Sequence, residues 1–133
     1  MAFQFSAASR NAALDAIETA AGASPTLEIR TGSAPATCAT ADSGTVLVTM
    51  ALPADWLAAA SGGTKAILGT WQDLSADAAG TAAHFRIKQG ATCHIQGSVT
   101  ATGGGGDMTL DNVSIALAQQ VTVTAFTLTA GGA

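Results

Sequence analysis

Ala82-Ala83-His84-Phe85-Arg86-Ile87-Lys88-Gln89 and Thr92-Cys93-His94-Ile95-Gln96-Gly97-Ser98-Val99-Thr100-Ala101 form the stretch that decides the fold. Each run alternates with a period of two, the period of a strand with one buried face. In the first run Phe85 and Ile87 share one face, and His84, Arg86 and Lys88 the other. In the second, Cys93, Ile95, Gly97 and Val99 stand against His94, Gln96, Ser98 and Thr100. With the tight turn Gln89-Gly90-Ala91 between them, the two runs read as a β-hairpin.

The same period governs most of the chain around it. Thr26–Arg30 alternates, with Leu27 and Ile29 inward. Thr45–Leu52 is apolar on both faces and is expected at the centre of a sheet. Further strands are expected over Thr64–Gln72, Met108–Ile115 and Gln119–Thr129. Pro53–Ala60 reads as two helical turns opened by proline, and Ser, Ala, Pro and Thr mark Thr31–Ser43 as a loop. One convincing helix precedes all this, over residues 6–21. Ala13, Leu14, Ile17 and Ala21 recur at spacings of three and four, Asp15 and Glu18 fall on the polar side, and Gly22 ends the helix. Short strands, glycine turns and no repeated strand–helix alternation predict a mainly β fold. The expected form is an antiparallel β-sandwich, with jelly-roll wiring as one version, carrying one N-terminal helix. Residues 1–5 are expected as an arm, 6–130 as a single domain and 131–133 as a flexible tail.

Charged residues make up 11% of the 133 positions and the net charge is −4. An ordinary domain carries roughly a quarter. A surface so poor in charge repels little and packs closely against copies of itself, which predicts an assembly subunit and a homo-oligomer. The acidic balance and the scattered cations Arg10, Arg30, Lys65, Arg86 and Lys88 argue against nucleic acid. No apolar run approaches a membrane span of about 18 residues. The opening residues show no basic region followed by an apolar one, so synthesis in the cytosol is expected.

No motif predicts catalysis or a cofactor. Gly103-Gly104-Gly105-Gly106-Asp107 lacks the Lys-Ser/Thr of a phosphate loop and reads as a hairpin loop. Cys93 and His94 are strand neighbours pointing to opposite faces, so one metal ion cannot readily use both. Asp73 and Asp77 lie in a polar loop, without the burial that tunes a general acid. Trp56 and Trp71 belong either to a core or interface or, if exposed, to a sugar-stacking site.

Three groups remain as candidates. His84, Arg86, Lys88, His94 and Gln96 make a polar stripe on the hairpin, either the wet face of a sheet or a reader of an acidic ligand or partner carboxylate. Phe3 and Phe5, at alternate positions before the helix, either close the core or dock on a neighbouring subunit. Cys38 and Cys93 are either free thiols, as cytosolic synthesis favours, or a disulfide. A bridge would close a loop of about 55 residues, worth roughly 4 kcal/mol in loop entropy.

Several stretches together carry a resemblance. They include Arg10-Asn11-Ala12-Ala13-Leu14-Asp15-Ala16-Ile17, Leu27-Glu28-Ile29-Arg30-Thr31-Gly32, Leu52-Pro53-Ala54-Asp55-Trp56 and Gly69-Thr70-Trp71-Gln72. Ala83-His84-Phe85-Arg86-Ile87, Leu110-Asp111-Asn112-Val113-Ser114-Ile115 and Val121–Leu128 complete them. The chain resembles small structural virion proteins of tailed bacteriophages and prophages, from about residue 6 to 130. The resemblance implies a collar, neck or capsid-associated subunit present in many copies, made in the host cytoplasm and built into the virion beside other virion proteins. It brings no functional site. A receptor- or glycan-binding module of the particle is the competing reading, and a small hydrolase the third.

Overall fold

The computed structural model describes residues 3–132 and is mainly β with one helix. Residues 1 and 2 of the expected arm and residue 133 of the expected tail lie outside the described residues. The order is α1 (Ala7–Ala21), β1 (Thr26–Arg30), β2 (Val46–Ala51), β3 (Thr64–Ala66), β4 (Trp71–Asp73), β5 (Gly80–Thr81) and β6 (His84–Gln89). There follow β7 (Thr92–Ala101), β8 (Met108–Leu110), β9 (Ser114–Ile115), β10 (Val121–Val123) and β11 (Thr127–Thr129).

Five strands form one sheet in the order β2-β1-β6-β7-β8, and the rest form three two-stranded pairs, β10-β4, β11-β3 and β5-β9. The inward side chains of sheet and pairs meet in one core cluster. A chain of buried rings crosses it. Trp56 and Trp71 lie 6.0 Å apart, Trp71 and Phe126 5.9 Å, and Phe126 and Phe85 5.3 Å. Both indoles are fully buried and both N–H groups are satisfied, Trp56 donating to Gly22 O and Trp71 to Trp56 O. The tryptophans are therefore core residues, with no ring face open to a sugar.

Several local expectations are corrected by long-range packing. β2, apolar on both faces, stands at the end of the sheet and not at its centre. Its outer edge is covered instead by the 73–77 loop. Thr49 N–H donates to Asp73 Oδ2, Asp77 N–H to Leu47 O, and Thr49 Oγ1 to Asp77 Oδ2. The two aspartates so protect an edge that would otherwise be open to pairing. Pro53–Ala60 is not helical. It runs beside residues 66–68, with Ala58 N–H donating to Ala66 O and Leu68 N–H to Trp56 O, which lets Trp56 and Leu57 both enter the core.

The four-glycine loop is not a hairpin turn either. It returns the chain so that β8 pairs with β7 in parallel, Val99 opposite Met108. The return passes hard against Thr100: Gly106 N–H donates to Thr100 Oγ1, and a Cβ at Gly106 would lie 2.9 Å from the Thr100 backbone nitrogen. Asp107 holds the return by accepting from the backbone N–H and the hydroxyl of Ser98. The carboxylate that is wrong for a phosphate loop is right for this one.

Helix α1 begins at the cap Ser6, whose hydroxyl accepts from Ser9 N–H, and ends at Gly22, whose positive φ of 83° lets its N–H reach Glu18 O. The expected apolar side is kept only in part: Leu14 and Ala21 are covered, but Ala13 and Ile17 are exposed. The rest of the inward side is polar. Asn11 Oδ1 accepts from Gly63 N–H, and Asp15 and Glu18 accept from the N–H groups of Ala60 and Leu57. Both carboxylates also hold Lys65, at 2.6 and 2.9 Å. Burial pushes the Lys65 ammonium pKa down, but the hydrogen bonds to Asp15 and Glu18 and their charges outweigh it and hold it above the usual lysine value. Ala12, Ala13, Ala16, Ile17 and Ala20 therefore face water.

Candidate functional site

Four of the five cations of this chain are buried: Arg30, Lys65, Arg86 and Lys88. Such residues are almost never buried unless paired. Lys65 anchors the helix. The other three stand together on the face of the sheet away from the core, and their pairing defines the site.

The strand register places them. Arg30 pairs with His84, Glu28 with Arg86, and Thr26 with Lys88, so Glu28, Arg30, His84, Arg86 and Lys88 share one face of β1 and β6. On β7, Gln96 lies opposite Arg86. The next pair is irregular: Ile87 faces Ile95 but Lys88 faces Cys93, which makes His94 the inserted residue of a β-bulge. The bulge shifts the phase by one, so Cys93 shares the side of Lys88 and not that of Ile95 and Val99.

The expected wet stripe is corrected by what covers it. Residues 31–45 leave β1, fold back across the face and return to β2, forming a strap without regular structure. Cys38 on the strap is bonded to Cys93 on the sheet. His84 is completely buried, Arg86 is 2% exposed and Lys88 9%. His94 and Gln96 are half-buried. His84 and His94 do not meet, since His84 pairs with Ser98 at the far end of the hairpin.

The strap is held to the face by ion pairs and by hydrogen bonds to its backbone carbonyls. The single carboxylate of Asp42 receives Lys88 Nζ at 2.6 Å, Arg86 at 2.5 Å and Arg30 at 3.3 Å. Arg86 Nη2 donates to the carbonyls of Thr37, Cys38 and Thr40, and Arg86 Nε to Gln96 Oε1. Gln96 Nε2 in turn donates to Pro35 O. Arg30 bonds Glu28 and the carbonyls of Ser43 and Gly44. His84 Nδ1 donates to Gly32 O at 2.6 Å, which leaves Nε2 as a buried acceptor with no partner among the described residues.

Asp42 was not singled out from the sequence, although it is the only charged residue between Arg30 and Asp55. A lone carboxylate in an otherwise neutral loop is the signal that could have found it. The Lys88 hydrogen bond, stronger than the opposing effect of burial, joins Arg86 and the charges of Lys88 and Arg30 to lower its pKa from 3.8 to about 2. A depressed folded pKa contributes stability that is complete above the ordinary carboxylate value and lost as pH falls through the folded one. The strap should thus remain fastened at pH 4–5 and loosen only as the pH approaches about 2. Carboxyl chemical shifts from NMR titration check this; an Asp42 midpoint near 4 would refute the ion cluster.

The exposed aromatics lie elsewhere. Phe3 is 91% exposed and Phe5 58%, so neither closes the core. Phe5 N–H donates to Gly132 O and Ala130 N–H to Gly63 O, which ties the expected loose tail to the body as far as residue 132. Phe5, Ser9, Arg10, Ala13, Ala130 and Gly131 line a shallow depression beside the outward face of α1. Among the described residues no cluster of His, Cys, Asp or Glu has the makings of a metal site, and no helix is long and apolar enough to cross a membrane. Comparison with known protein families, curated proteins and solved structures finds no match to this chain.

Proposed function

We propose that this chain is a structural subunit of a tailed-phage virion, present in multiple copies at the collar, neck or capsid surface. The phage assignment rests on the sequence resemblance. The assembly role is supported by one observation above all, the exposed alanine side of helix α1. Its polar residues bind the body through Asn11, Asp15 and Glu18, and its alanine face with Ile17 is turned to water. A helix that spends its carboxylates inward, with Phe3 and Phe5 exposed beside it, presents a surface free of charge repulsion to another subunit. The sandwich expected from the sequence belongs to the same reading, with the five-stranded sheet as one layer, the small pairs as the other and jelly-roll wiring as its extension. A glycan-binding role finds no support in the tryptophans, which are both buried.

Light scattering over a concentration series tests the reading. Ala13→Glu puts a carboxylate on the exposed helix face without disturbing the core. Association is expected to weaken by about tenfold or more through repulsion between copies, with the melting temperature unchanged. A wild-type chain that stays monomeric at its highest soluble concentration refutes the proposal.

A further inference from the structure

The strap over β1, β6 and β7 carries a consequence that goes beyond the helix face, though it rests on the multi-copy reading. All the ties that fasten the strap to the underlying face are non-covalent except one, Cys38–Cys93. The closed state also has unfavourable features. It buries three cations against two carboxylates, and among the described residues it leaves His84 Nε2 without a partner. Lifting the strap removes Asp42 and leaves the three cations with Glu28 alone. Water would then reach His84.

The exposed face would have a defined ligand preference. Its three cations converge on one carboxylate, and the remaining donors of Arg86 and Gln96 take backbone carbonyls of a turn. That pattern fits an acidic peptide turn. The segment of this chain with that chemistry is residues 31–45, and in a multi-copy assembly every neighbour carries it.

We propose that the Cys38–Cys93 bridge is a redox latch on the strap, and that in the reduced chain the uncovered face takes the Asp42 turn of a second copy. Unlatching is a two-electron step. A dithiol reductant gives two electrons and two protons, the S–S bond breaks, Cys38 and Cys93 become thiols, and the reductant becomes a cyclic disulfide. The chain's own strap then competes with its neighbour's, no longer held by a covalent tie.

The test uses the full chain, air-oxidised or treated with dithiothreitol, and a fluorescent peptide of residues 31–45 carrying Cys38→Ser. Hydrogen exchange followed by mass spectrometry should show strap amides exchanging about tenfold faster or more after reduction, with β1 and β6 unchanged. Fluorescence anisotropy should show the peptide binding the reduced chain about tenfold or more tighter than the oxidised one, and Asp42→Asn in the peptide should abolish binding. The full-chain variant Cys93→Ser should behave as the reduced protein does without any reductant. Equal strap protection in both states overturns the latch. Uniform acceleration throughout the chain does so too, because the bridge would then be a prop for the whole fold. A strap that opens without peptide binding overturns the site. None of these outcomes touches association of the oxidised chain through α1, so failure here is distinct from failure of the assembly reading.

Discussion

Replacing Arg86 with alanine is expected to destabilise the domain by about 3–5 kcal/mol, the cost of breaking a buried ion pair from one side. The guanidinium is 2% exposed and serves Asp42, Gln96 and three strap carbonyls at once. Its loss leaves those acceptors facing a void under a strap that the disulfide still holds in place. Relaxation is therefore limited, and water must enter or the acceptors stay unpaired. Against a typical net stability of roughly 5–15 kcal/mol this is a large share. Urea denaturation of the oxidised protein measures it. The double replacement Arg86→Ala with Cys93→Ser should cost less than the sum of the two, since a freed strap can swing its carbonyls into water. A change under about 1 kcal/mol for Arg86→Ala would mean that the strap contributes nothing to the folded state.

Trp71→Ala should be comparably damaging, at about 3–5 kcal/mol, but for a different reason. Trp71 is fully buried between Trp56 and Phe126, and its ring links the small pair β10-β4 to the sheet through Phe85. Removing it empties the middle of the core, and the Trp56 carbonyl loses one of its two donors, keeping only Leu68 N–H. Trp71→Phe should restore most of the packing and lose one hydrogen bond to a carbonyl that Leu68 N–H still satisfies, costing roughly 0.5–1.5 kcal/mol for that bond. Thermal or urea unfolding of the two variants separates the contributions. Near-equal losses would show that the hydrogen bond dominates and the packing hardly matters.

The candidate site was only half legible from the residues. His84, Arg86, Lys88 and Gln96 stand out by alternation, but nothing local says what lies over them. Their counter-ion, Asp42, is 44 positions from Arg86 in the chain. Arg30 escaped for the same reason. It ends a short strand, and only pairing with His84 brings it beside the others. Bulk alone does not say whether Trp56 and Trp71 belong to the core or to the surface.

By itself, the sequence determined the elements whose signals are local. Period-two alternation was enough for β1, β6 and β7, because a strand's side chains must point to opposite sides. An alanine-rich run ended by Gly22 was enough for α1, because propensity and C-terminal caps act within a few residues, whereas the N-cap is Ser6 and not Ser9, the residue the sequence offered for it. Tertiary structure alone decided which side of each element is covered. Lys65, buried at the strand β3, is held by Asp15 and Glu18, and of the apolar side of α1 only Leu14 and Ala21 are covered while Ala13 and Ile17 face water. The inserted His94 turned Cys93 toward the strap, and Cys38 could then cover a face that alternation had marked only as polar. Pattern gives two faces; which of them meets water depends on distant residues that neutralise its charges, and those are found only when the chain has closed on itself.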